Sequence, residues 1–400
     1  MRLTPLDSLR VICEFIIVCG HLAGSNPYNE LWVSMILRDL MSFFFILSGF
    51  VSMYTHHDPD HFATWPQVYK FWRKKFVENY PLYLLICSVN LIRVYAVNDW
   101  RVIYQQDHLP IDHWFPHTCV ALDIVLLGSF FYCMDVEGLI YDAGWYLQIL
   151  FAFWFVFPLI HTRIIWLFKP SPRLNIWVKL GILACLGNSW YILTIWVPHF
   201  NGQRLVYTRF FEFIIGNGLY FTLSQGPPRT SVFLLAVFTL GLFYMLARFV
   251  FVHIPWWCPN PEENCIPMTT SNIWGRFSMV WAICISYIAN DCITSTKSWF
   301  LSVLYYRFFE DMAHFSLQLY MTHIAFARIF QYLKETWGMY LFSNLVEVVL
   351  VYYWAYLVKR HVHPWLVALA EWIWPAAVLI DSNNKSPDDN NNESNPTMGV

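Results

Sequence analysis

The sequence predicts an all-α, polytopic integral membrane protein with about ten transmembrane helices and both termini in the cytoplasm. Hydrophobic residues make up 57% of its 400 residues and only 13% are charged, about half the charged share of a soluble domain. Apolar stretches that approach the roughly 20 residues of a transmembrane helix recur along the chain, at 9–24, 31–54, 80–97, 145–168, 176–197, 208–224, 231–252, 273–290, 312–333 and 341–358.

The placement of lysine and arginine sets the topology, because cytoplasmic loops are enriched in these residues. An eleventh, shorter apolar stretch lies at 119–134. If it does not span, the basic stretches from Arg73–Lys75 to Lys359–Arg360 fall on one side of the membrane. The polar loop that carries Cys258 and Cys265 then falls on the other side, where their spacing permits a disulfide. We therefore expect 119–134 to be re-entrant or peripheral.

Three regions are expected along the chain. Residues 1–362 form the transmembrane domain, and its charged first apolar segment has no cleavage signature, which indicates a retained span. Residues 363–380 form a Trp-rich amphipathic segment on the membrane surface, and the polar residues 381–400 are disordered. The protein is expected in the plasma membrane or an endomembrane. Its near-zero net charge argues against a nucleic-acid partner.

The first apolar segment places ionisable side chains on one helix face. His21 follows Arg10 by eleven positions, and on a helix this spacing brings the two side chains to within about 20° of the same direction. Asp7 and Glu14 belong to the same segment. In a membrane such groups usually face a protein interior or a wet cavity and mark functional sites. The alternative is that Arg10 anchors the cytoplasmic end of the helix and His21 lies at the other interface.

Two further stretches combine small or basic residues with aromatic ones. Ser48-Gly49 allows close approach of a neighbouring helix or of a ligand. Arg73, Lys74 and Lys75 precede Tyr83, and basic residues interleaved with aromatic ones can bind a phosphate-bearing ligand. The alternative for the basic stretch is a cytoplasmic anchor.

Polar residues also recur in two later spans. Arg209 and Glu212 lie three residues apart, the spacing of a helical ion pair. Ser316, Tyr320 and His323 fall on one face of a helix. No metal site is expected, because the histidines of the 98–118 loop lack a cysteine or carboxylate cluster at ligand spacing.

These residues, in this order, resemble the membrane acyltransferase-3 family of surface-polysaccharide O-acetylases and nose-resistant-to-fluoxetine proteins. The family's Leu-Asp-Gly-Leu-Arg, with a histidine eleven residues later, is similar to Leu6–Arg10 and His21, and its Phe-Phe-x-Leu-Ser-Gly-Phe is similar to Phe44–Phe50. The other similar motifs are Arg73-Lys74-Lys75 before Pro81-Leu82-Tyr83, Trp145-Tyr146-Leu147 before Pro158-Leu159, Arg209 with Phe213 and Gly216, and Ser316 with Tyr320 and His323. The chain departs from the family pattern at Ser42, Glu78 and Leu150, where the family has aspartate, arginine and glutamate.

The resemblance implies transfer of an acyl group, most simply acetyl, from acyl-CoA to a hydroxyl acceptor, most often a carbohydrate or a lipid-linked acceptor. No permanently bound cofactor is expected; acetyl-CoA is a co-substrate. His21, with an unperturbed pKa near neutrality, is the expected general base. Arg10, oriented by Asp7, would hold donor phosphate or a developing oxyanion. The residues expected to bind acyl-CoA are Arg73, Lys74, Lys75, Ser48 and Tyr83. Those expected to line the acceptor path or a pore are Glu14, Trp145, Arg209, Glu212, Ser316, Tyr320 and His323.

Three other functions fit parts of the pattern. A proton or anion transporter would use the same intramembrane charges. The other large family of membrane O-acyltransferases has its catalytic histidine late in the chain, and His323 would then replace His21 as the catalytic group. A catalytically silent relative would bind lipid or sterol. Dependence on acyl-CoA separates the enzymes from the other two.

Overall fold

The computed structural model describes most of the chain, namely residues 3–22, 27–97, 121–122, 124–127, 144–171, 174–195, 206–225, 228–253, 277–294, 298–324 and 344–375. These residues are predominantly helical and include no β-strand; an isolated bridge pairs Ser171 with Leu174. The predicted all-α class is confirmed for this part of the chain.

The described α-helices are α1 Thr4–Leu22, α2 Pro27–Thr55, α3 Trp65–Val97, α4 Gly144–Phe168, α5 Ile176–Ile195, α6 Val206–Leu219, α7 Thr230–His253, α8 Ser278–Thr294, α9 Arg307–Ala313, α10 at 316–324, α11 Asn344–Leu357 and α12 His363–Ile373. Short 3-10 segments occupy Tyr220–Gln225 and Trp299–Tyr305, and a π-helical turn, Val358–Val362, joins α11 to α12.

Membrane crossing is indicated most clearly for α4. By length and apolar composition, α4 is the one described helix able to cross a membrane, and four shorter apolar helical segments accompany it, Asp39–Thr55, Ile176–Trp190, Thr230–Leu242 and Ser278–Thr294. Helix α1 is long enough, but it carries three charged residues. The number of spans and the side on which each terminus lies stay predictions.

Helix α3 begins fifteen residues before the predicted 80–97 span. Hydropathy detects only its apolar half, whereas a capping interaction defines its beginning: Gln67 Oε1 accepts the backbone N–H of Thr64 at 3.0 Å and the Gln67 N–H donates to the Thr64 carbonyl at 3.1 Å. The bond from the Thr64 N–H to the Gln67 side chain is one half of a capping box, and the Thr64 hydroxyl also donates to Gln67 Oε1, at 3.0 Å. The basic stretch Arg73–Lys75 is therefore helical and continuous with the predicted span.

Helix α1 lies at the centre of the fold. It packs against α2, α8, α9, α11 and the 3-10 segment Trp299–Tyr305. Two of its side chains bond distant backbone: Ser8 Oγ donates to the Leu304 carbonyl at 2.6 Å, and an Arg10 Nη donates to the Ala313 carbonyl at 2.7 Å. Neighbouring elements thus cover much of α1 and bury Glu14, while Phe15 and Ile16 remain exposed.

Helices α2 and α6 cross through two glycines. A Cβ added to Gly49 would lie 2.0 Å from the Phe213 carbonyl oxygen, and one added to Gly216 would lie 2.0 Å from the Ile46 carbonyl oxygen. Only glycine allows this backbone separation. At Gly49, the close approach predicted from the sequence is therefore made by a neighbouring helix.

Replacing Gly49 with alanine is expected to destabilise the protein by roughly 1–3 kcal/mol or more, because the new methyl group overpacks a crossing of two rigid backbones. Thermal unfolding of the purified protein in detergent measures the effect. Gly181→Ala and Gly241→Ala are matched controls, since an added Cβ meets no atom within 4 Å at either position. An unchanged unfolding temperature for Gly49→Ala would contradict the packing described.

Helix α12, in the predicted surface segment 363–380, packs against the basic half of α3. Arg73 donates through Nε and an Nη to the Trp374 carbonyl at 3.1 and 3.0 Å, and His363 donates through Nε2 to the Glu78 carbonyl at 2.9 Å. Trp372 remains 80% exposed. The helix thus rests on α3 with indole surface facing outward. Its position on a membrane surface stays a prediction.

Several predicted features lie outside the described residues. These are the Cys258/Cys265 pair, the 381–400 tail, the histidines of the 98–118 loop and most of the 119–134 stretch.

Candidate active site

A cavity of about 420 Å³ opens beside the first half of α1. Helices α2, α3, α4 and α10 supply its other walls, including the apolar Phe44, Leu47 and Trp154. It gathers seven of the residues singled out in the sequence, Asp7, Arg10, Glu14, Ser48, Lys75, Ser316 and Tyr320. Side chains more than 300 residues apart in the chain therefore share one chamber.

Arg10 provides positive charge in this chamber. One of its Nη atoms lies 3.4 Å from Asp7 Oδ1, and the Arg10 side chain is about one-third exposed. Its Nε is buried and has no hydrogen-bond partner among the described residues. Asp7 and the Ala313 carbonyl thus fix the guanidinium while one donor stays available for an anion.

Lys75 contributes the second cationic group. Its ammonium lies 4.8 Å from the centre of the Trp154 ring and 5.8 Å from that of Phe71, within the range of cation–π attraction. Lys75 precedes the predicted 80–97 span, and burial lowers the pKa of its ammonium, an effect that the nearby Glu78 carboxylate opposes. An anion in the cavity would further offset this desolvation.

Ser48 lines the cavity, and the other three residues expected to bind acyl-CoA lie elsewhere. Arg73 is bonded to the Trp374 carbonyl, and Lys74 is exposed. Tyr83 is fully buried and its hydroxyl accepts a hydrogen bond from Gln148 Nε2 at 2.9 Å. Of the basic triplet, only Lys75 lines the cavity.

Glu14 lies deeper along α1 than Arg10. It is 1% exposed, and its Oε2 has no hydrogen-bond partner among the described residues. The Ser316 side chain of α10 approaches its carboxyl group. Glu14 thus presents an acceptor oxygen between the cationic end of the cavity and His21.

His21 lies outside the cavity, seven residues beyond Glu14 on α1. Seven residues of helix rise roughly 10 Å. The exposed His21 ring meets the fully buried His323 ring, with centroids 5.2 Å apart. His323 Nδ1 bonds the Tyr320 carbonyl at 2.7 Å, and Tyr320 lines the cavity. The polar face predicted for Ser316, Tyr320 and His323 therefore leads from the cavity to His21.

Arg209 and Glu212 form a buried ion pair on the other side of α2, with an Arg209 Nη 3.0 Å from Glu212 Oε2. Ser42 joins the pair: its hydroxyl donates to Glu212 Oε1 at 2.7 Å and accepts from Arg209 at 3.0 Å. The guanidinium also lies 5.9 Å from the Trp145 ring centre and 5.4 Å from that of Phe45. The group is fully packed and does not line the cavity.

Sequence reasoning missed two kinds of residue. Tyr146, quoted above only as part of the Trp145-Tyr146-Leu147 motif, and Asn79, which carries no signal in the sequence, line the cavity. Asp39 is buried and accepts the Phe277 N–H at 3.1 Å and Trp281 Nε1–H at 2.9 Å. A lone carboxylate in an apolar stretch was the available signal for Asp39.

Among the described residues, no group of three or more His, Cys, Asp or Glu side chains is arranged to hold a metal ion. The cavity groups instead combine cations, an acceptor oxygen and hydroxyl groups. Such a set suits an anionic, hydrogen-bonding organic ligand.

Comparison with known families identifies the chain. The sequence pattern of one family, described as an acyltransferase domain, matches residues 4–360. The chain belongs to the acyltransferase-3 family. Members of the acyltransferase-3 family are typically membrane proteins, and the match covers the cavity and both histidines.

A curated relative agrees with this family. The chain is 24% identical over 252 residues to the acyltransferase MdmB of Streptomyces mycarofaciens, a match that covers 59% of this chain and 56% of that protein. The match thus spans about half the length of the relative. No solved structure matches the chain.

Proposed function

We propose that the protein transfers an acyl group, most simply acetyl, from acyl-CoA to the hydroxyl group of a carbohydrate or lipid-linked acceptor within a membrane. One observation carries the proposal: the cavity holds Arg10, Lys75 and Glu14, and helix α10, which lines it through Ser316 and Tyr320, carries His323 in ring contact with His21 outside the cavity. Cations in the cavity and a base beyond it fit a donor that carries phosphate groups at one end and a thioester at the other.

The two cations are assigned to the phosphates of the donor. Arg10 keeps a buried donor without a partner among the described residues, and guanidinium groups bind phosphate through directed hydrogen bonds. Lys75 adds a point charge from α3. The apolar side chains Phe44, Leu47 and Trp154 face the uncharged part of the donor.

His21 is assigned as the general base. It takes the proton of the acceptor hydroxyl as the oxygen forms its bond to the acyl carbon, and the carbon–sulfur bond then breaks. The CoA thiolate leaves and receives a proton, so that CoA, the acyl ester and neutral His21 result. His323, in ring contact with His21, fixes the orientation of its imidazole.

Labelled acetyl-CoA tests the proposal. Purified protein in liposomes is mixed with the donor and candidate acceptors, and label is followed into lipid, glycan and protein fractions. Label in one fraction, dependent on wild-type protein, is the expected result and identifies the acceptor class. A protein that neither binds acyl-CoA nor labels any fraction, but moves protons or anions across the liposome, would contradict it in favour of a transporter.

A further inference from the structure

Glu14 has a property that neither phosphate binding nor general-base catalysis explains. Its side chain is 99% buried, it lines the cavity and its Oε2 lacks a hydrogen-bond partner among the described residues. Buried polar atoms normally have a hydrogen-bond partner, because a buried acceptor without one has lost its bonds to water and gained none in return. A carboxyl group that belongs to a cavity wall and keeps one acceptor oxygen without a partner points to a ligand that donates a hydrogen bond.

The nearest cation does not fill this need. Arg10 lies one turn away and binds Asp7 and the Ala313 carbonyl. Ser316 approaches the carboxyl group, but it leaves Oε2 without a bond. The oxygen is therefore available to a ligand that occupies the cavity.

The spacing of Glu14 and His21 on α1 indicates which group of the donor molecule lies beside Glu14. Glu14 lies roughly 10 Å along the axis from His21. An acceptor hydroxyl takes up about 3 Å of this distance as a hydrogen bond to the base, and the attack on the thioester carbon takes up about 3–3.5 Å. In acyl-CoA the amide nitrogen of the cysteamine unit follows the thioester carbon by four bonds, about 5 Å. With a bend at the reacting carbon, these steps place that amide N–H beside Glu14.

We propose that Glu14 binds the cysteamine amide N–H of the donor's pantetheine arm and thereby sets the distance of the thioester from His21. This inference rests on the proposed function, since it assigns one group of the same donor. Arg10 and Lys75 then hold the phosphate end and Glu14 holds the thiol end. The contact selects donors that carry an amide two carbons from the sulfur.

A pair of donors tests the contact without any variant. Acetyl-CoA is compared with an analogue in which the cysteamine N–H is replaced by CH2. A hydrogen bond to a carboxylate contributes about tenfold to a hundredfold in affinity, so the wild-type KM and Kd are expected to rise by this factor with the analogue. Equal constants for the two donors would overturn the proposal.

Variants then assign the discrimination to Glu14. In Glu14→Leu, acetyl-CoA is expected to bind as weakly as the analogue, and the two donors become equivalent. Glu14→Gln, which keeps an acceptor oxygen, restores most of the discrimination. Glu347→Gln is the matched control, because Glu347 is also 1% exposed but does not line the cavity, and it should discriminate like wild type. Full discrimination in a folded Glu14→Leu would overturn the assignment.

Binding separates this inference from the proposed function. If wild-type protein transfers no acetyl group, the same comparison is made with CoA and its CH2 analogue by equilibrium binding. If wild-type protein binds the analogue more weakly than CoA and Glu14→Leu binds the two equally, the contact is supported and only the proposed reaction is contradicted. Absence of binding by both compounds would overturn both.

Discussion

Replacing His21 with alanine is expected to lower the rate of acetyl transfer at least a hundredfold. Proton removal by a positioned base contributes roughly 10²–10⁴ in rate, and His21, in ring contact with His323 of α10, is the proposed base. The proposed site of the donor phosphates, at Arg10 and Lys75, lies far from this side chain, so the KM for acetyl-CoA should change little while kcat falls. Initial rates with labelled acetyl-CoA, corrected for the amount of folded protein, measure both constants.

Two histidines serve as comparisons for this variant. His361→Ala changes an exposed side chain outside the cavity and should keep wild-type rates. His323→Ala removes the ring that contacts His21 and should cause a smaller loss, because the base remains. If His21→Ala keeps its activity and His323→Ala abolishes it, the base is the late histidine and the assignment of His21 is wrong.

Arg209→Ala is expected to cause the largest loss of stability, roughly 3–5 kcal/mol, because removing one member of a buried ion pair leaves the other charge uncompensated. Arg209 is 1% exposed and bonds both Glu212 and Ser42. The substitution also removes the cation next to the Trp145 and Phe45 rings. Denaturant unfolding of the purified protein in detergent measures the loss.

An exposed ion pair provides the matched control. Arg307 and Asp311 lie 4.0 Å apart, with side chains 89% and 68% exposed, and such pairs contribute at most about 1 kcal/mol. Arg307→Ala should therefore unfold almost like wild type. Equal effects of the two arginine substitutions would contradict the difference in burial on which this prediction depends.

Helical periodicity predicted which residues of one helix act together. It placed Arg209 and Glu212 in an ion pair, which the structure contains at 3.0 Å. It also placed Ser316, Tyr320 and His323 on one face, and that face meets α1. These relations lie within single helices, where geometry is set by the backbone alone.

Relations between helices could not be predicted in this way. Nothing local indicates that Arg73 bonds the Trp374 carbonyl, 301 residues away, or that only Lys75 of the basic triplet reaches the cavity. The partners of Ser42, which lie on another helix, could not be predicted either. It stands where the resemblance expects aspartate, and its hydroxyl bridges Arg209 and Glu212, so a carboxylate still compensates the arginine.

Arg10 and His21 share a helix face, but in the structure they do not line the same cavity. The sequence predicts that the two side chains share one helix face, roughly 16 Å apart along the axis. Arg10 lines the cavity, while His21 lies beyond it and touches His323. The proposed acyl-CoA donor, with its pantetheine arm, would connect the two positions.

A cryo-EM map of the wild-type protein with dethia-acetyl-CoA, in which CH2 replaces the sulfur and blocks transfer, would show where the donor binds and which way it points. We expect donor density in the cavity beside α1, with the phosphates near Arg10 and Lys75, the cysteamine amide beside Glu14 and the acyl carbonyl toward His21. Donor density outside this cavity, or with its acyl end pointing away from His21, would contradict the proposed donor site.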